Sequence, residues 1–170
     1  ELAALLARAA REGRRVRPVG SGHSSSPLVR SGDILLSLEH LRGIVAVDPA
    51  AHEATLWAGT RLHDAGRALE RHGLAFENLG DVDTEALAGA LLTGTHGSGS
   101  RLANLASNLV GARLLAGDGS ARELSGHADP EPLRALRVSL GALGVLSQVR
   151  LKLVASSPLR CAVDSSSAGI

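Results

Sequence analysis

The order of elements readable along this chain predicts an α+β fold, not a doubly wound α/β one. Three observations carry the prediction. An opening helical spacing is followed by several strand-like runs without regular strand–helix alternation. Asp118-Gly119 sits between two extended apolar runs, which is a hairpin signature. The segment VLSQVRLKL alternates apolar and polar residues, as an antiparallel strand with one solvated face does. The chain has 170 residues, the length of one domain. Folding at that size buries roughly 70% of the extended chain's surface, so the core needs no disulfide or structural metal.

Each element has its own justification. Leu2, Leu5, Leu6 and Ala9 recur at helical spacing, and Gly13 provides a C-terminal stop. RRVRPVG reads as a strand that runs into a glycine-bearing loop. DILLSL and GIVAVDP are two further strands, the second ended by Asp48-Pro49, and ATLWAG (Ala54 to Gly59) is a fourth. RLHDAGRALERHGL is an amphipathic helix with Leu62, Ala65 and Leu69 inward and Gly73 past its end. NLVGARLLAGDGSARELS folds back on itself at Asp118-Gly119. In the final strand Val145, Val149, Leu151 and Leu153 share one face, and Gln148, Arg150 and Lys152 the other. A seam near Asp48 to Glu53 is expected to divide a lobe of residues 1–49 from a larger lobe of residues 50–156. Residues 157–170, ending in the serine-rich DSSSAGI, are expected to begin a linker. Trp57 and Phe76 are the only aromatics, so the core must rest on Leu, Val, Ile and Ala.

Composition removes several functions. Eighteen basic and 17 acidic residues leave a net charge of +1, which argues against a nucleic-acid or polyacid partner. The one basic concentration, Arg8, Arg11, Arg14, Arg15 and Arg17, reads as the solvated face and last turn of the first helix. No apolar run approaches the ~18 residues of a transmembrane segment, and the start carries no signal-peptide pattern. Cys161 is the single cysteine and has no internal partner, which fits a reducing, cytoplasmic compartment. The chain has no methionine and begins inside a helical pattern, so it is expected to be part of a longer protein.

Known chemistries narrow further. The only lysine, Lys152, lies in a strand pattern, so a phosphate-binding P-loop is excluded. The loop after the first strand has Gly20 and Gly22, but Ser25 occupies the third glycine position of a dinucleotide fingerprint. Pro27 stands where a Rossmann helix would be running. No G-x-S-x-G elbow occurs, and the seven histidines form no H-x-x-x-H or H-E-x-x-H pair, so no metal site is expected.

Two segments remain. In Gly20-Ser21-Gly22-His23-Ser24-Ser25 the glycines let backbone amides converge and the serines add hydroxyls, which is how a loop cradles a diphosphate without lysine. In GALLTGTHGSGS, Gly89, Gly94, Gly97 and Gly99 leave backbone accessible to a flat ligand, with Thr93, Thr95 and Ser98 as donors. Either loop alone reads as an ordinary turn. Together, each with a histidine (His23, His96), they point to a large phosphate-bearing cofactor.

At these residues the chain resembles the flavin-binding domain of the vanillyl-alcohol oxidase and p-cresol methylhydroxylase family, nearest to its aldonolactone and alditol oxidases. The segments that carry the resemblance are RPVGSGHSSSPL, VDPAAHEATLWAGTRLHDAGRALERHGLAFENLGDVD, AGALLTGTHGSGSRLANLAS and VSLGALGVLSQVRLKL, in the family's order and over nearly the whole chain. The resemblance implies a two-lobed α+β domain, a small N-terminal α/β lobe and a larger antiparallel-sheet lobe with helices, binding extended FAD between them. It implies that His23 is bonded to the flavin 8α carbon, since a neutral imidazole is nucleophilic near neutral pH and such a bond raises the flavin's appetite for hydride. It places Ser21, Gly22, Ser24 and Ser25 with Gly20 around the diphosphate. Gly89, Thr93, Gly94, Thr95 and His96 fall in a second flavin loop, and Gly144 and Val145 at a strand start that meets the cofactor. Gly80, next to Asp81, falls beside the flavin's reactive face, where a small residue admits oxygen.

The resemblance further implies an FAD-dependent oxidoreductase passing hydride from a sugar, polyol or lactone to flavin N5, with oxygen or another acceptor taking the electrons. Asp81 and Ala86 stand where alditol oxidases carry serines, which favours lactones. In such relatives the acid/base residues come from a substrate domain that follows this one, so no catalytic base is named within residues 1–170. The alternative is a non-catalytic flavin-binding module; a weaker third is an α+β interaction domain.

Overall fold

The computed structural model describes residues 1–24 and 26–158. Ser25 and residues 159–170, which include Cys161 and most of the expected linker, lie outside the described residues. Helix α1 (Leu2–Arg11) buries Leu6 and Ala9 and places Leu2, Ala3 and Leu5 beside them, as the opening periodicity predicts. Strands β1 (Val16–Val19) and β2 (Ile34–Ser37) form a two-stranded parallel sheet, Val16 opposite Ile34 and Val19 opposite Ser37. Pro18 is tolerated there because each strand of a two-stranded sheet has a free edge. The strand starts are tied together: Ile34 N–H donates to the Arg15 carbonyl at 3.1 Å and Arg15 N–H to Asp33 Oδ2 at 3.2 Å. That backbone donor, helped by the Arg15 and Arg14 guanidinium groups, holds the exposed Asp33 carboxyl below its ordinary range. The contribution is therefore present above the ordinary carboxylate pKa and is lost as pH falls through the lowered one.

The remaining long strands form one antiparallel sheet. They are β3 (Ile44–Asp48), β4 (Glu53–Trp57), β6 (Leu109–Leu115), β7 (Ala121–Ser125) and β8 (Val145–Lys152), with β5 (Leu74–Ala75) paired separately to β9 (Val154–Ala155). The order across the sheet is β3-β4-β8-β6-β7, so the last long strand in sequence occupies the centre. The stretch Asp48 to Glu53, read above as a seam, is the turn of the β3–β4 hairpin, in which Ala51 N–H donates to Asp48 Oδ1 at 3.0 Å. The chain passes from the small sheet to the large one earlier, between Ser37 and Ile44.

Helices α2 (Leu62–Glu70), α3 (Leu87–Thr93) and α4 (Pro130–Leu136) pack with the large sheet around a core made almost wholly of leucine and alanine. All twelve of the largest fully buried side chains are Leu, among them Leu56, Leu69, Leu91, Leu133 and Leu151. The scarcity of aromatics is thus met by branched aliphatics packed at many contacts each. Alternation in β8 breaks at one place. A register shift against β6 at Arg113/Leu114 turns Leu114 and Leu146 into the main core and leaves Leu115 and Val145 to a second cluster with Leu6 and Leu38. The expected single wet face therefore holds from Gln148 to Lys152 but not at Leu146, which is 1% exposed.

Gly59 shows how closely the two sheets approach. Its N–H donates to the Leu41 carbonyl at 2.9 Å, and a Cβ there would lie 1.9 Å from the Leu38 carbonyl oxygen. Gly59→Ala is expected to cost about 3 kcal/mol, read as a lowered urea midpoint at constant slope. Gly66→Ala, in the middle of α2 where a Cβ meets nothing within 4 Å, is the control and should stabilise by roughly 0.5–1 kcal/mol.

Candidate functional site

The cleft of interest opens where the end of β1 meets the start of α3. Residues 83–88 lie against residues 58–63, with Arg61 and Ala86 in an isolated antiparallel bridge where the two segments enter α2 and α3. Leu62 N–H donates to Glu85 O (3.0 Å) and His63 N–H to Asp83 O (2.9 Å), while Leu87 N–H donates to Thr60 O (2.8 Å) and Ala88 N–H to Ala58 O (2.9 Å). These bonds consume two of the otherwise orphaned amides in the first turn of α3 and fix where that helix begins. The loop after β1 is then fastened to the same segment. Ser21 Oγ and Arg61 Nη1 both donate to the Thr84 carbonyl at 2.8 Å, and His23 Nε2 lies 2.7 Å from Thr84 Oγ1.

One wall of the cleft is the loop Gly20, Ser21, Gly22, His23 and Ser24; the facing wall holds Glu85, Gly89 and Thr93. Arg17, Leu140 and Gly141 close one end. The sequence reading of Gly89 as a loop residue is corrected: Gly89 lies inside α3, whose C-cap is Gly94 in the left-handed conformation. The helix escapes sequence periodicity because five of its seven residues are buried, so it has no polar face. Two hydroxyls expected as ligand donors are also engaged elsewhere. The Ser21 hydrogen goes to the Thr84 carbonyl, and Thr93 Oγ1 donates to the Gly89 carbonyl one turn back at 2.9 Å. What the first loop does offer is backbone: the N–H groups of residues 21–24 have no partner among the described residues.

The other residues singled out in the sequence fall into two places. Gly80 and Asp81, before α3, and Gly94, Thr95 and His96, after it, fall in two adjoining loops and do not line this cleft among the described residues. A Cβ on Gly80 would lie 2.9 Å from Thr95 Cγ2, so packing alone demands glycine there. Thr95 Oγ1 donates to Glu85 Oε2 at 2.9 Å, which links that loop to the cleft wall. His96 Nδ1 is 2.9 Å from the Gly97 carbonyl; a carbonyl only accepts, so this ring carries its proton on Nδ1. Gly144 and Val145 line a neighbouring cleft between α1 and the sheet end, which shares Arg17, Pro18, Val29 and Gly141 with the first. The two clefts thus adjoin at these four residues.

Three features had no sequence signal. Thr84 and Glu85 lie in an unremarkable polar stretch, and their roles arise from pairing with residues up to 63 positions away. Arg17, read with its neighbours as helix-end charge, lines both clefts, its Nη1 3.5 Å from the Leu140 carbonyl. Val138 (φ 54°) and Leu140 (φ 56°) hold left-handed backbone, sterically costly for both, beside a bond from Leu140 N–H to the Leu92 carbonyl at 3.0 Å. Among the described residues no cluster of three or more His, Cys, Asp or Glu is placed to hold a metal ion, and no helix is long and apolar enough to cross a membrane.

A cleft walled by a glycine-rich loop with unpaired amides and by a helix carrying glycine is of the kind that takes a phosphate-bearing cofactor. The sequence profile of the FAD binding domain family matches residues 1–125, and the chain belongs to that family. It is 40% identical over 154 residues to the L-gulono-1,4-lactone dehydrogenase of Mycobacterium tuberculosis, covering 91% of this chain and 35% of that protein. It is 34% identical over 154 residues to the L-gulonolactone oxidase of Bos taurus, with the same coverage of 91% and 35%. Among solved structures, the xylooligosaccharide oxidase from Myceliophthora thermophila C1 in complex with xylobiose superposes with a TM-score of 0.82 at 25% identity, over 92% of this chain and 34% of that one. An alkyldihydroxyacetonephosphate synthase shares the fold, with a TM-score of 0.81 at 18% identity over 91% of this chain and 30% of that one. The chain spans about a third of the length of the curated relatives it matches.

The residues present fit FAD. A side chain at Gly22 or Gly89 would meet nothing within 4 Å, so both positions hold open space at the cleft rather than packing space. Gly89→Leu is accordingly expected to leave the thermal transition of the cofactor-free protein nearly unchanged while abolishing FAD uptake. Differential scanning fluorimetry and flavin absorbance after gel filtration check the two halves.

Proposed function

We propose that this chain is the FAD-binding part of an oxidoreductase that oxidises a sugar-derived alcohol or aldonolactone, with FAD bonded through His23. The observation that carries the reading is the face-to-face placement of the His23 loop and the Gly89 helix across one cleft in a member of this family. That two relatives are lactone enzymes supports lactones as the substrate class. One of them is a dehydrogenase and the other an oxidase, which supports oxygen or another electron acceptor.

In this proposal the amides of residues 21–24 bind the diphosphate, with Ser24 and Ser25 extending the cradle and Arg17 supplying the positive charge that the lysine-free loop lacks. Gly20 and Gly22 give the backbone clearance. Gly144 and Val145, in the neighbouring cleft, take the remainder of the extended cofactor. Gly94, Thr95 and His96, with Gly80 and Asp81, form the wall towards the reactive ring, and Glu85 holds Thr95 in place. The flavin, when bound, supplies hydride acceptance at N5 and passes the electrons on. His23 supplies the tether, which prevents loss of the cofactor between turnovers. A linker from residue 157 to a substrate domain carrying the acid/base residues, and a cytoplasmic location, belong to the same proposal.

The test is direct. Acid precipitation of the flavin-loaded protein is expected to leave the yellow colour with the pellet; colour that stays in the supernatant overturns the covalent bond, and failure to take up FAD at all overturns the cofactor. His23→Ala is expected to bind FAD that acid releases, with the fold intact by circular dichroism. Reduction of the flavin in the full-length protein by aldonolactones, and not by simple alcohols, checks the substrate class; no reduction by lactones or polyols marks a non-catalytic module instead. Gly80→Ala presses on Thr95 and is expected to slow reoxidation by dissolved oxygen more than reduction by substrate, read by stopped-flow absorbance.

A further inference from the structure

Three polar contacts converge on Thr84, an exposed residue in the segment that carries α3. Its carbonyl accepts Ser21 Oγ and Arg61 Nη1, each at 2.8 Å, and its hydroxyl lies 2.7 Å from His23 Nε2. Neither the Thr84 hydroxyl nor His23 Nδ1 has any other partner among the described residues. We propose that Thr84 is a positioning residue for the flavin tether: its hydroxyl holds Nε2 of His23, fixes the rotation of the ring and leaves Nδ1 as the nitrogen free to bond to the cofactor. The proposal rests on the reading of His23 as the tether.

A neutral imidazole has one nitrogen bearing hydrogen and one bearing a lone pair, and the partner of one nitrogen decides the state of the other. With Nε2–H donating to Thr84 Oγ1, the lone pair sits on Nδ1, which is unpartnered and nucleophilic. The opposite arrangement, the hydroxyl donating to Nε2, would put a hydrogen on Nδ1 and leave no nitrogen free to attack. In the net reaction the imidazole N–H and one C–H bond of the 8α methyl break and the Nδ1–C8α bond forms. Two electrons and two protons pass through the flavin to dioxygen, which becomes hydrogen peroxide. Afterwards Nε2 has lost its hydrogen and can only accept. A hydroxyl serves both stages, because rotation about Cβ–Oγ1 converts it from acceptor to donor. Valine has the shape of threonine and can do neither; serine can do both.

The same contact explains why the loop is fastened twice. The Ser21–Thr84 bond sets the height of the loop over the 83–88 segment, and the His23–Thr84 bond sets the rotation of the ring within it. A turn made flexible by Gly20 and Gly22 would otherwise let the imidazole sample many orientations.

The experiment uses the full-length protein labelled with 15N-histidine and produced without cofactor in a riboflavin-starved host. His23 signals are assigned by their loss in His23→Ala. Ring nitrogen shifts are expected to show Nε2 protonated in the wild type and in Thr84→Ser, and a shift towards protonated Nδ1 in Thr84→Val. Each variant is then incubated with FAD in air, and acid-precipitable flavin is followed against total bound flavin. Thr84→Val is expected to bind FAD while tethering it at least tenfold more slowly, and Thr84→Ser to tether at close to the wild-type rate. NMR of the isolated flavin peptide is expected to show attachment at Nδ1. Protonated Nδ1 in the free wild type, attachment at Nε2, or a wild-type tethering rate in Thr84→Val overturns the role of Thr84. Wild-type flavin that acid releases completely overturns the tether reading and the proposal with it.

Discussion

Four backbone hydrogen bonds, two in each direction, clip residues 83–88 onto residues 58–63, and the candidate site hangs from that clip. It sets the first residue of α3, the height of Thr84 and the position of the Glu85 side chain together. Thr60, 2% exposed, locks the other half of the clip by accepting Leu87 N–H through its carbonyl while its hydroxyl donates to the Trp57 carbonyl at 2.6 Å and accepts Gly43 N–H at 2.9 Å. Each bond contributes about 1 kcal/mol net. Their larger effect is geometric, because the donors and acceptors lie on backbone that also belongs to the core through Leu62, Leu87 and Leu91. Movement of the clip would disturb a cluster packed without slack.

The cleft is poor in charge. Among its lining residues only Arg17 carries a fixed positive charge, and Glu85 is committed to Thr95. Binding in such a cleft depends on amides whose directions are set by backbone conformation, with glycines providing clearance. Recognition of this kind tolerates side-chain exchange around the loop but not a change in the path of the chain. It also accounts for the two strained residues at the cleft end: Val138 and Leu140 hold unfavourable backbone so that Leu140 can bond to the last turn of α3 and present its carbonyl to Arg17.

What the sequence revealed and what it concealed divide along a physical line. Local rules identified α2 from Leu62, Ala65 and Leu69 with Gly73 beyond it, and the β6–β7 turn from Asp118-Gly119, where Gly119 has φ 86° and abuts the Ala3 carbonyl. They failed at α3, which is apolar nearly all round and carries a glycine. They failed again at α4, seven residues long with Pro130 and Pro132 in its first turn, and at β5 and β9, two residues each. The Leu146 flip was hidden because a register shift is a property of a strand pair, not of one strand. At the site, Gly20, Gly22 and His23 were legible as residue types that a turn alone does not require. Thr84 was not, since a threonine gains its role only when a loop 61 residues earlier is brought against it.

The position of β8 has a consequence for how the protein is made. Both neighbours it joins, the β3–β4 and β6–β7 hairpins, leave the ribosome before it, and each can close on its own through local contacts. Until residues 145–152 emerge, the two hairpins face one another across an unfilled gap, with β4 and β6 offering bare edges. The nascent chain thus carries exposed, leucine-rich hairpins until Val145–Lys152 are made, and a ribosome stall upstream of Val145 would release a species primed for aggregation. The helix that closes the cofactor cleft is synthesised well before the strand that makes the fold cohere, so early contact with the cofactor cannot substitute for completing the sheet.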